Sequence, residues 1–224
     1  MTVQKDFLGI KDLKELPRGK RSELHEALED LLSPEVEARR EAVDRLYAMD
    51  AHRRSPLAAS ILAYRLHEPD VDVRAKIVQS IFEAFGIRDS FERPPAKVRE
   101  LLNEALRCIG EPEVYCLLEL LEQDFVTLQV VCILLNQCSS SCEILVKLLD
   151  SREEKISIRI AASQVIGRLG ILEAVPVLEA IEERLMHRTS GQLSMSFVSR
   201  SKVEARELLP SIRQTLDALR EASV

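Results

Sequence analysis

The stretch Pro69-Asp70-Val71-Asp72-Val73-Arg74 opens an apolar helical run, and Pro34-Glu35-Val36-Glu37-Ala38-Arg39 opens another. A shorter copy, Lys155-Ile156-Ser157-Ile158-Arg159, opens a third. Each is preceded by a further helical run. Helical pairs recurring roughly every thirty to forty residues predict an all-α fold, an α-solenoid of antiparallel helix pairs in which each pair buries its apolar face against its neighbours.

The flanking signals agree with this reading. Ser22 is placed to cap a helix running to Leu32. Ser33-Pro34 and Ser55-Pro56 each combine a capping hydroxyl with a proline at the first helical position, where no N–H is needed. The helix from Pro34 is expected to reach about Asp50, with Val36, Val43, Leu46 and Tyr47 facing the core. The run from Pro69 is expected to stop at Gly86. After a connection over 86–96, helices are expected at about 97–109, 112–123, 125–138, 142–150, 155–170, 174–187 and 201–221. Four regions follow: a leader or cap over 1–21, the repeat array over 22–187, a Ser-rich loop over 188–200 and a capping helix over 201–224. The leader is either a cap on the first repeat or a partner-binding arm.

Composition narrows the function. The chain has 224 residues, 46% hydrophobic and 30% charged, with seven glycines and no tryptophan. That suits long amphipathic helices around a sizeable core. A net charge of −6 argues against a nucleic-acid partner, which calls for a basic surface. No stretch approaches the roughly 18 apolar residues of a membrane span, and the N-terminus lacks a secretory signal, so a cytoplasmic protein is expected. Five cysteines, an odd number without a CxxC, read as reduced thiols packed as small hydrophobes. The four histidines are scattered and read as solvated helix-surface or helix-end residues.

The repeats resemble HEAT repeats, in particular the bacterial HEAT-like group that includes the phycobilisome-lyase type. The likeness rests on Asp70-Val71-Asp72-Val73-Arg74 followed by Ile77, Ile81 and Gly86, and on Ile158-Arg159 with Ala161, Ala162, Ile166, Leu169 and Gly170. It implies a HEAT-like or armadillo-type superhelix over most of 22–187. It also implies that Arg39, Arg74 and Arg159 form a structural ladder, bonding acidic groups or carbonyls of neighbouring repeats. Glu35 and Asp70 stand four residues before Arg39 and Arg74, so a local pair across one turn is expected as well. Lys155 holds that place in the third copy, and Gln129 replaces the arginine in the 125–138 helix.

In HEAT-like proteins the second helix of each pair lines the concave binding face. Alignment on the arginines assigns to that face Glu37, Glu41, Asp44 and Ala48, then Asp72, Lys76, Gln79 and Glu83, then Ser157, Ala161, Gln164 and Arg168. The offsets i, i+4, i+7 and i+11 keep each set on one stripe. The same alignment puts Thr127, Val131, Leu134 and Cys138 on the middle helix, three of them apolar. Such a helix is either buried or carries an apolar partner site, a homodimer interface being one version. In the 188–200 segment Leu193, Met195, Phe197 and Val198 interrupt the serines, which fits a plain loop, a flap over the groove or a partner contact.

No phosphate loop, GxSxG, HExxH or paired CxxC occurs, and no cofactor or metal is implied. The expected function is therefore that of a non-enzymatic protein–protein interaction scaffold or adaptor. Its expected contact residues are Asp44, Gln79, Glu83, Val131, Leu134, Cys138, Gln164, Arg168 and Phe197. The alternatives are a HEAT-like DNA glycosylase and a phycobilin lyase-like, chromophore-handling subunit. The first lacks the tryptophan and basic groove of that class, and nothing marks a tetrapyrrole site for the second.

Overall fold

The computed structural model describes residues 18–85, 93–190 and 200–222, and every regular element among them is helical. The chain divides into two compact units, Met1–Ile109 and Gly110–Val224. The expected leader up to residue 17, Gly86 and the start of its connection, and residues 191–199 of the Ser-rich loop lie outside the described residues.

The first unit contains α1 (Arg18–Asp30), α2 (Val36–Ala48), α3 (Ala51–Arg54), α4 (Pro56–Tyr64), α5 (Val71–Ala84) and α6 (Ala96–Arg107). The Ser55-Pro56 signal starts α4 as expected, with the Ser55 hydroxyl accepting from the Ala58 N–H at 3.3 Å. Asp70 caps α5 through the Val73 N–H at 3.0 Å. Two expected starts move. Ser22 lies inside α1, where its hydroxyl donates to Glu26 at 3.0 Å. Ser33 accepts from the Glu35 N–H at 3.2 Å and shapes the turn before α2, which begins at Val36. The expected helix to Asp50 also divides. Asp50 takes a left-handed conformation (φ 55°), ending α2 and launching the short α3 in a new direction.

The core of this unit is built from Leu46, Leu62, Leu66, Ile77, Ile81, Leu102 and Leu106, each at most 1% exposed. Through it runs one ionic tether. Arg39, at 6% exposure, donates from Nε to both oxygens of Glu68 (3.0 and 3.1 Å) and from Nη2 to Oε1 (2.7 Å). Its Nη1 donates to the carbonyls of Ser33 (3.0 Å) and Pro34 (2.8 Å). Arg39 thus turns to Glu68, not to Glu35 four residues earlier. Glu68 is fully buried and also accepts from Arg65 (2.5 Å) and the Asp70 N–H (3.2 Å). Arg74 donates to the Glu68 carbonyl at 2.8 Å. Every bond of the buried carboxylate is therefore charge-assisted or made to backbone, which is the condition for burying an ion.

The tether sets the register of α2 on α5. Three pairs climb the two helices together: Arg40–Asp70 (3.7 Å), Asp44–Lys76 (2.6 Å) and Tyr47–Glu83 (3.0 Å). Numbers rise on both sides, so α2 and α5 run in the same direction, one stacked beside the other.

The second unit contains α7 (Glu111–Glu122), α8 (Leu128–Leu135), α9 (Ser141–Asp150), α10 (Ile156–Leu169), a 3-10 turn (Leu172–Ala174), α11 (Val175–Ser190) and α12 (Arg200–Ala222). The expected helix over 125–138 shrinks to Leu128–Leu135. Asp124 is left-handed (φ 60°), and the Phe125 N–H bonds the Leu120 carbonyl at 3.0 Å, closing α7 in a turn usually given to glycine. Gly170 (φ 69°) ends α10 in the same way, with Ile171 donating to Ile166 at 3.2 Å.

Here α10 is central, packed against α7, α8, α9 and α12. Its Arg159, 1% exposed, donates to the Leu149 carbonyl (2.8 Å) and to Glu204 of α12 (2.5 Å). One turn on, the Thr215 hydroxyl donates to the Ser163 carbonyl (3.0 Å), and the Ser163 hydroxyl lies 2.8 Å from the Thr215 oxygen. A further turn on, a Cβ on Gly167 would sit 3.3 Å from the Thr215 methyl. From Arg159–Glu204 to Ser163–Thr215 the numbers rise on both helices, so α10 and α12 run in the same direction.

Burial pushes the Glu68 carboxyl up, but the hydrogen bonds from Arg39, the Asp70 N–H and Arg65, with the Arg39 charge, outweigh it and hold the group below its ordinary 4.5. The stabilisation from ionised Glu68 is complete above that value and is lost as pH falls through the lower folded value. Urea denaturation followed across this range should show wild-type stability declining below about pH 4.5. Glu68→Gln, less stable by about 3 kcal/mol at pH 7, should decline less steeply. An equal slope in both proteins would contradict this role.

Candidate functional site

The sequence-predicted contact residues fall into three groups. Asp44, Gln79 and Glu83 come together on the outer face of α2 and α5. Asp44 is exposed and bonds Lys76, while Gln79 donates to Glu83 at 2.8 Å. Gln164 and Arg168 are exposed on α10 in the second unit. Phe197 lies outside the described residues.

Val131, Leu134 and Cys138 form the third group, and their place as contact residues is corrected. Val131 and Leu134 are fully buried and Cys138 is 6% exposed. The middle helix is apolar because it is wedged against α7 and α10, so its stripe belongs to the core. Thr127, on the same expected stripe, instead caps α8 by accepting from the Val130 N–H at 3.4 Å.

The α2–α5 face has a feature that the sequence reading missed. His52 is 2% exposed, whereas a solvated histidine was expected. Its ring stacks on Tyr47, centroids 5.0 Å apart and planes within 2° of parallel. Neither ring nitrogen has a well-aligned hydrogen-bond partner, and Nε2 lies 3.8 Å from Glu83 and 3.9 Å from Asp50. Burial lowers the imidazole pKa more than these carboxylates raise it, so His52 is neutral at neutral pH. Tyr47, expected in the core, is 47% exposed, and its hydroxyl donates to Glu83 at 3.0 Å. The reason is local. Asp50 is left-handed and ends the run of α2, so His52 sits on α3 out of the phase of α2, while Tyr47 flanks the buried stripe of Arg39, Ala42, Val43 and Leu46 on α2.

Among the described residues no group of three or more His, Cys, Asp or Glu is arranged to hold a metal ion. The five cysteines are unbridged, and burial pushes the Cys132 thiol up to about 11, far from a reactive thiolate. No described helix is long and apolar enough to cross a membrane.

No protein-family model, curated protein or solved structure matches the chain.

Leu134 distinguishes core from contact surface in solution. Leu134→Ala should destabilise the second unit by about 2–5 kcal/mol, and Leu134→Asp should abolish its cooperative unfolding by circular dichroism. A stable, fully helical Leu134→Asp protein would place this side chain on a surface instead.

Proposed function

We propose that the chain is a non-enzymatic protein–protein interaction scaffold built as a HEAT-like α-solenoid, with the outer face of α2 and α5 as its main contact surface. The observation that carries this reading is the parallel stacking of equivalent helices on buried arginines. Arg39 ties α2 to the loop before α5, and Arg159 ties α10 to α12. Parallel stacking of every second helix is what a repeat array produces, and it lays side-chain stripes next to each other. On the α2–α5 face those stripes are charged, with aromatic Tyr47 at one end. Charged stripes supply specificity and a rigid aromatic supplies affinity. The five unbridged cysteines suit a reducing, cytoplasmic setting.

Capture of the tagged chain from native host lysate, with and without nuclease and followed by cross-linking mass spectrometry, tests the reading. The expected result is a stoichiometric protein partner that survives nuclease and cross-links to Lys76. Recovery that depends on nucleic acid, or no enriched protein at all, would overturn it.

A further inference from the structure

Among the described residues His52 is the one buried histidine. It sits on α3, a single turn packed against α2, α4 and α5. A helix this short is not held by its own hydrogen bonds. What seats α3 is the burial of Ala51 and His52. The amides of Arg53, Arg54 and Ser55 bond back within the same turn, to the carbonyls of Asp50 and Ala51.

The surroundings of the ring suit a neutral imidazole. From α2 come the stacked Tyr47 ring and the Leu46 carbonyl, which is near the imidazole but aligned with neither nitrogen. The turn before α3 brings Asp50, α3 itself brings Arg53, and α5 brings Glu83. No charged side chain comes from α4, and its one titratable group, Tyr64, is exposed. A protonated ring needs an acceptor for each of its two N–H groups. The two carboxylates stand 3.8 and 3.9 Å from Nε2, beyond hydrogen-bond reach. Their oxygens are also committed to other donors. Glu83 accepts from the Tyr47 hydroxyl on Oε2 (3.0 Å) and from Gln79 on Oε1 (2.8 Å). Asp50 accepts from Arg54 on Oδ2 (2.8 Å), and its Oδ1 faces Arg53 at 3.6 Å. A charge on His52 would thus enter a buried site beside another cation, with its nearest acceptors already engaged.

We infer that His52 is a proton-operated latch, which seats α3 while the ring is neutral and releases it when the ring takes up a proton. Tyr47 loses its stacking partner in the same step, so the end of α2 loosens together with α3. Released, the ring is in water, where an imidazole has its ordinary value of 6.5. Seated, burial holds it lower, against the opposing pull of Asp50 and Glu83. The stability of the seated state is therefore whole above 6.5, and is lost as pH falls from there through the lower seated value. One proton taken up per opening raises the open fraction by up to about tenfold per pH unit in that window. The latch rests on packing within the first unit and is independent of the scaffold reading.

Amide hydrogen exchange of the full chain, followed by NMR between about pH 7.5 and pH 5 and divided by the intrinsic rate at each pH, tests the latch. This range stays above the one in which Glu68 gains its proton. Below 6.5 the amides of Arg53, Arg54 and Ser55 should lose protection by up to about tenfold per pH unit. The ring protons of His52 should titrate below 6.5, and α10 in the second unit should keep its protection throughout. His52→Phe keeps a ring to stack on Tyr47 but takes up no proton, so its α3 protection should not vary with pH. His52→Leu supplies the same comparison if the larger ring does not fit. Protection of α3 that is absent at pH 7.5 or constant with pH in the native protein would overturn the inference. So would a loss shared equally by α10, a His52 ring titrating at or above 6.5, or a pH dependence that persists without the imidazole.

Discussion

A guanidinium and a carboxylate buried together constrain this chain more than any other contact. Taking both ions out of water costs several kcal/mol each, and the cost is met only if geometry is near ideal and every remaining polar atom is satisfied. Arg39 and Glu68 meet the condition through a forked pair, two backbone carbonyls below the arginine, and Arg65 with a backbone N–H around the acid. An apolar contact tolerates sliding by an ångström or two. This pair does not, because a displaced partner leaves a naked charge in the core. The tether therefore supplies the directional precision that an all-leucine interface between helices would lack.

The surface inherits that precision. With Arg39 fixed, α2 and α5 lie side by side in one register, so Arg40 meets Asp70, Asp44 meets Lys76 and Tyr47 meets Glu83. These outer pairs are individually weak because water screens them. Their value lies in where they hold side chains. The second unit repeats the logic with different chemistry. Arg159–Glu204 is backed by a hydroxyl pair, Ser163 and Thr215, and by the close approach at Gly167. Its α10 face carries Gln164 and Arg168 and is not acidic. The buried plan recurs while the outer stripes differ, which is how one architecture presents distinct surfaces.

The helices were legible in the sequence because their start and stop chemistry is local. Ser55-Pro56, Asp70 and Gly170 act within a few residues of themselves. The three arginines stood out for the same reason, as they sit at a fixed offset from each helix start. Their partners did not. Glu68 and Glu204 are 29 and 45 residues away from the arginines they hold, and helical periodicity gives the face of a residue without saying which neighbour it meets. His52 was misread through one residue, whereas Tyr47 simply stands beside the buried stripe of Arg39, Ala42, Val43 and Leu46 on α2. Asp50 breaks the helix in a left-handed turn, and a phase carried through it puts His52 outside, where it is in fact buried. Asp124 had the same effect on the length of the middle helix, and both turns use aspartate where glycine would have signalled a stop. Val131 and Leu134 were legible as apolar, but whether a uniformly apolar helix is covered depends on α7 and α10, which the pattern alone does not position.

The Arg39–Glu68 coupling energy is the most direct measure of the account. A double-mutant cycle with Arg39→Met, Glu68→Leu and the double variant, read as opening free energies from hydrogen exchange in α2 and α5, isolates it. The account predicts that each single change costs about 3–5 kcal/mol, and that the double variant recovers most of the loss, because neither ion is left alone in the core. Additivity of the two single effects to within about 0.5 kcal/mol would contradict it, and would show that α2 and α5 are held in register by their apolar contacts alone.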